Sequence, residues 1–306
     1  MRIFILMTSL VALSAWAFGL GLGPGHALAQ GRGVEAGKEA EAWSAVGILR
    51  VRGGGWCSAA LIDPSTVLTA AHCVYPEGGD RPFPPEAMQF NAGWRDGVTA
   101  AVRDVVRIVA HRDYDPKKPY TTPNIASDIA IVELDAPIPA DVAASYPLLD
   151  RVRTGAPVSV VSFSGRRSDV ASINESCSVN SRDKDILMLS CESYSGMSGA
   201  PIFTFVNDKP QIVALISGRR ISFDGANNGI ALAIRAPLDR VRLDAAATAA
   251  MPASGLPNWT RRAARKGNQA PVAVRRKISV GGGSGLSGLT GSGGGRKVVK
   301  PPKSSR

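Results

Sequence analysis

Between residues 34 and 244 the chain is written in short β-like runs that turn residues interrupt at close spacing. The stretches 46–51, 65–69, 105–109, 128–134, 157–163, 186–189, 211–217 and 229–234 are each rich in Val, Ile, Leu or Thr. Most are bounded by Gly, Pro, Asp or Asn, which stop a strand. Many short strands in succession, with few segments of 3.6-residue period, predict an all-β barrel or sandwich and exclude a βαβ protein. One short helix is predicted around Pro237, Leu238, Val241 and Leu243, and no internal repeat is present. With 306 residues, 44% of them hydrophobic, the chain can build one large or two small domains. That content argues against a mostly disordered chain and against a multi-span membrane protein.

The net charge of +11 suggests a polyanion partner until it is traced along the chain. Twelve of the 36 basic residues and none of the 25 acids lie in residues 261–306, so the rest of the chain is near neutral. From residue 246 the composition turns Ala-rich and then loses most large apolar residues, with the run GGGSGLSGLTGSGGG inside it. Such a segment buries too little to offset its ordering entropy, so 246–306 is expected to be a flexible basic tail. Two readings of it stand: a dispensable solvated extension, or a tether in which residues 261–306 contact an anionic surface or polyanion.

The first residues set Arg2 before the apolar run IFILMTSLVALSAWAF and end in Ala27-Leu28-Ala29. This is the layout of a cleavable secretory signal over residues 1–29, which leaves no integral membrane span. An oxidising compartment then turns Cys57, Cys73, Cys177 and Cys191 into expected disulfides. Four cysteines allow three pairings; the sequence-local one closes two short loops, each stabilising by roughly 3 kcal/mol on a chain-entropy model. No C-x-x-C or His-rich spacing supports zinc, so no metal site is expected.

Removal of the signal takes away His26 and leaves His72 and His111 as the histidines available to a base. His72 lies in TVLTAAHCV, directly before Cys73; His111 lies in VAHRDYDP, where a solvent-exposed loop is expected. Ser198 in YSGMSGAPIF sits among Gly196, Gly199 and Ala200, small residues that permit unusual turns and close approach of a carbonyl to backbone N–H groups. Asp128, in NIASDIAIVEL, stands at the mouth of a buried strand, as a cap or as an orienting carboxylate.

Together, LTAAHC, SDIAIVEL and GMSGAP, in the order His, Asp, Ser, resemble the trypsin/chymotrypsin-like serine peptidases over about residues 34–244. GWCSAALI, AHRDYDP, ALISGR and GIALAIR agree with the resemblance. It implies two six-stranded β-barrels, about 34–140 and 141–245 within a peptidase domain 30–245, with the active site in the cleft between them. It further implies a triad of His72, Asp128 and Ser198, and an oxyanion hole from the N–H groups of Gly196 and Ser198. Bridges Cys57–Cys73 and Cys177–Cys191, protein or peptide substrates, no cofactor and action as a monomer also follow from it.

The pattern departs from animal trypsins at Met197, where those enzymes carry an aspartate that pairs with a newly cut N-terminus. A cut near Arg32 is therefore not expected to assemble the oxyanion hole, and the GMSGAP form looks more like the bacterial glutamyl-endopeptidase-like branch. Glu192 falls six residues before Ser198, where a pocket acid selects basic side chains, with Ser217 and Gly218 beside it; Ile216 stands where the glutamate-specific branch tends to place histidine. An α/β-hydrolase is excluded, because its elbow needs Gly two residues after the serine and its triad runs Ser, Asp, His. A catalytically silent protease-like binding protein remains the alternative, although such proteins usually lose a triad member. The expectation is thus an exported, secreted or periplasmic, bacterial serine endopeptidase.

Overall fold

The computed structural model describes residues 31–165, 167–221 and 227–250. The expected signal at 1–29 and residues 251–306 of the expected tail lie outside the described residues. A two-residue strand, β1 (Arg32–Gly33), and a short helix, α1 (Lys38–Ala42), precede the first barrel. That barrel consists of β2 (Val46–Val51), β3 (Trp56–Asp63), β4 (Thr66–Thr69), β5 (Met88–Ala92), β6 (Ala101–Ala110) and β7 (Ala130–Leu134), closed in the order β2-β3-β4-β7-β6-β5. A one-turn helix, α2 (Thr122–Ile125), lies between β6 and β7. The second barrel is made of β8 (Pro157–Ser164), β9 (Arg167–Asp183), β10 (Ile186–Glu192), β11 (Pro201–Val206), β12 (Lys209–Ile221) and β13 (Asn227–Ala233). It runs β9-β10-β13-β12-β11-β8, closes by pairing of β8 with β9, and takes β1 onto β9. The fold is therefore two closed, six-stranded antiparallel barrels, and closure leaves neither sheet with an open edge along its full length.

Each barrel buries its own apolar set: Ile48, Leu49, Leu61, Leu68 and Phe90 in the first, Val160, Val179, Leu187, Leu189 and Ile202 in the second. Aromatic rings form part of the contact between the barrels, beside aliphatic second-barrel side chains such as Val161, Ile173 and Leu215. Phe203 on β11 lies 5.0 Å from the ring of Trp43 and 4.7 Å from that of Tyr146, and the Tyr146 hydroxyl donates to Ala42 O at 2.8 Å. Such ring pairs add roughly 0.5–1.5 kcal/mol each beyond the area they bury.

The last helix, α3 (Arg235–Ala250), is longer than its apolar spacing predicts and continues through residues 246–250, which composition assigns to the tail. Alanine has the highest helix propensity, so an Ala-rich stretch prolongs a helix already docked through Leu238 and Val241. Among the described residues no helix is long and apolar enough to cross a membrane.

Candidate active site

His72 sits in a short 3-10 turn, Ala71–Val74, that follows β4. The turn is tied to β3 by the Cys57–Cys73 bridge, while Cys177–Cys191 joins β9 to β10. Asp128 lies two residues before β7, in the turn after α2, so the strand begins later than its apolar pattern suggests. The Asp128 side chain is 1% exposed. Its Oδ1 accepts the His72 backbone N–H at 2.9 Å, and its Oδ2 lies 2.8 Å from His72 Nδ1. Oδ2 also accepts the Ser217 hydroxyl at 2.5 Å. One carboxylate thus holds both the main chain and the ring of His72, leaving Nε2 without a hydrogen-bond partner among the described residues.

The charge state of the ring follows from two opposed effects. Burial disfavours the imidazolium, but the adjacent Asp128 charge and its hydrogen bond outweigh burial, so the His72 pKa is raised above its ordinary value.

Ser198 belongs to a turn of the second barrel that is built against the first. The Ser58 N–H of β3 is shared between Gly196 O at 3.1 Å and Ser198 O at 2.9 Å. The buried Ser58 Oγ lies 2.9 Å from Gly196 O and accepts the Phe163 N–H at 2.9 Å. Gly196 and Gly199 take φ of +90° and +76°, the left-handed region. Neither position has room for a side chain: a Cβ at 196 would lie 2.3 Å from the Trp56 ring, and one at 199 would lie 2.3 Å from Thr69 Oγ1. The turn is therefore pressed onto Thr69 and Ala70, just before His72. The Gly196 and Ser198 N–H groups donate to no other group among the described residues, and Ser198 Oγ and His72 Nε2 are not hydrogen-bonded to each other. Ser58, which fastens this turn, carries no signal in the sequence beyond its place between Cys57 and an apolar run.

Ser217 joins Asp128, and Gly218 packs against Tyr120, whose hydroxyl an added Cβ would approach to 2.3 Å. Glu192 instead accepts the Tyr194 hydroxyl and lines a cavity of about 140 Å³ with Ser162, Ser164, Asn174 and Met197, which Ser217 and Gly218 do not line. His111, expected in an exposed loop, is 3% exposed; its Nδ1 accepts the Asp113 N–H at 3.2 Å, and burial lowers its pKa. Its backbone N–H donates to Ile129 O at 2.9 Å, beside Asp128, while its ring lies among Asp113, Arg112 and the α3 residues Arg240 and Asp244 and makes no hydrogen bond to the His72 ring.

Comparison with known proteins agrees with this architecture. A Glu endopeptidase solved in complex with MPD superposes with a TM-score of 0.58 at 20% identity, over 71% of this chain and 97% of that one. A thermostable serine protease, AL20, from an extremophilic microorganism gives 0.55 at 16% identity, over 67% and 98%. These likenesses establish the fold. The family model described as Trypsin matches residues 32–185, half of the chain, and ends before Ser198. The chain belongs to the trypsin family of serine endopeptidases.

Proposed function

We propose that this endopeptidase is exported and cleaves protein or peptide substrates through an acyl-enzyme formed on Ser198, with His72 as general base and Asp128 as its orienting carboxylate. The observation that carries the reading is the double grip of Asp128 on His72, at 2.9 Å to N–H and 2.8 Å to Nδ1, next to a turn with left-handed glycines on either side of Ser198. Ser198 Oγ attacks the substrate carbonyl carbon while His72 Nε2 takes its proton. The oxyanion of the tetrahedral intermediate is received by the Gly196 and Ser198 N–H groups, each donor contributing about 3 kcal/mol in well-studied hydrolases. Collapse expels the amine, which takes the proton back from His72. Water then repeats the sequence on the ester and frees Ser198. Asp128 keeps the Nδ1–H tautomer and stabilises the imidazolium without taking its proton. Each step uses only these groups and water.

Export, to a bacterial periplasm or beyond the cell, is supported by the two disulfides and by the apolar run ending in Ala27-Leu28-Ala29. Contact of residues 261–306 with an anionic surface rests on their charge alone. A fluorophosphonate probe tests the core of the reading. The oxidised protein is expected to gain one adduct, mapped to Ser198 by mass spectrometry, and Ser198→Ala to lose both adduct and peptidase activity. An unlabelled Ser198 in correctly oxidised protein would establish the catalytically silent alternative.

A further inference from the structure

We propose that Tyr120 is a positioning residue of this site: its hydroxyl, donated to Ser217 Oγ at 3.0 Å, fixes the Ser217 proton on Asp128 Oδ2 and so the carboxylate that orients His72. The inference rests on the assignment of His72, Asp128 and Ser198 given above. Its first support is hydrogen-bond direction. A hydroxyl has one proton, and an ionised carboxylate can only accept, so Ser217 must spend that proton on Asp128 and accept from Tyr120. Tyr120 is thereby the outer donor of a line Tyr120–Ser217–Asp128–His72.

The second support is how much structure holds Tyr120 there. The residue is 48% exposed, yet its hydroxyl is turned inward. Its backbone is the centre of a tight turn closed by the Thr121 N–H on Pro119 O at 2.8 Å. Asn124, buried at the end of the same loop, accepts the Asp115 N–H at 3.0 Å and donates to Asp115 O at 3.1 Å. Space for the phenol is left by Gly218, where any side chain would strike it. A tyrosine on the surface by chance has no need of a stapled loop and a matching glycine.

The ionisable groups facing the Asp128–His72 pair are Tyr114 and Tyr120, with Tyr75 and Asp115 next to Tyr114. Burial, aided by the Asp128 charge and partly opposed by the Ser217 hydrogen bond, pushes the Tyr120 hydroxyl upward, so it stays a donor throughout the working range.

The test is kcat and KM across pH for wild type, Tyr120→Phe, Ser217→Ala and the double variant. Tyr120→Phe keeps the ring and removes the donor. Its kcat is expected to fall about two- to tenfold, the value of one neutral hydrogen bond, with KM little changed. Its acid limb is expected to move to higher pH, because an Asp128 charge less well shared with Ser217 holds the His72 proton more tightly. In the Ser217→Ala background the same substitution is expected to change nothing further. Wild-type kcat and limb in Tyr120→Phe, an effect confined to KM, or an undiminished effect without Ser217 would each overturn the proposal. Fluorophosphonate labelling separates the two failures. A labelled wild type with an unchanged Tyr120→Phe profile refutes only the role of Tyr120, whereas an unlabelled wild type refutes the assignment on which it depends.

Discussion

Asp128 is the side chain on which the proposed site turns, because three donors converge on a carboxylate that water scarcely reaches. Replacing it by Asn preserves shape but offers an amide that can donate to Nδ1, which selects the wrong tautomer. Asp128→Asn is expected to lower kcat by about 10⁴-fold, read in a steady-state peptide assay, with fold retained by circular dichroism. His72 adds a pH dependence of two signs. Its raised pKa means that the ion pair stabilises the fold fully below the unfolded value of 6.5 and that this contribution is lost as pH rises through the folded value. Activity runs the other way, since only the neutral ring accepts a proton, so kcat/KM is expected to fall as pH drops through the raised value. An acid limb below 6.5 would contradict the shift.

Elements whose residues already favour a strand are found where the pattern puts them: β2 coincides with the expected 46–51, and β8, β10, β12 and β13 extend or shift their expected cores by a few residues. The longest strand, β9, is not visible in this way. Its sequence RSDVASINESCSVNSRD is polar, and it is held extended by pairing with β1, β8 and β10 rather than by propensity. His111 shows the same effect at a loop. Its charged neighbours find partners on α3, Arg112 with Asp244 and Asp113 with Arg240, and the ring is buried beside them. A buried neutral histidine with a lowered pKa stabilises fully above about pH 6.5, and that contribution is lost as pH falls through the folded value. Denaturant midpoints at about pH 7.5 and pH 5.5 are therefore expected to converge in His111→Asn relative to wild type; an equal acid loss in both would show that His111 contributes nothing to it.

At the level of the whole molecule, the proposed site draws on both barrels. Ser58 of the first barrel holds the Gly196–Ser198 turn of the second, and the Cys57–Cys73 bridge ties the strand carrying Ser58 to the turn carrying His72. Opening that bridge with Cys57→Ala and Cys73→Ala is expected to cost about 3 kcal/mol in denaturant melts and to lower kcat. Equal loss of kcat from opening Cys177–Cys191 would deny the first bridge a special part in the site. Local patterns suffice for what depends on local chemistry: strand runs and turn residues point to an all-β chain, and the order of LTAAHC, SDIAIVEL and GMSGAP brings forward His72, Asp128 and Ser198. Ser58 and Tyr120 have no such pattern, nor does the cavity that Glu192 lines with Ser162, Ser164, Asn174 and Met197. Those relations are contacts between residues far apart in the chain, and they arise when barrel closure and the aromatic interface set one strand against another, which no short window of sequence encodes.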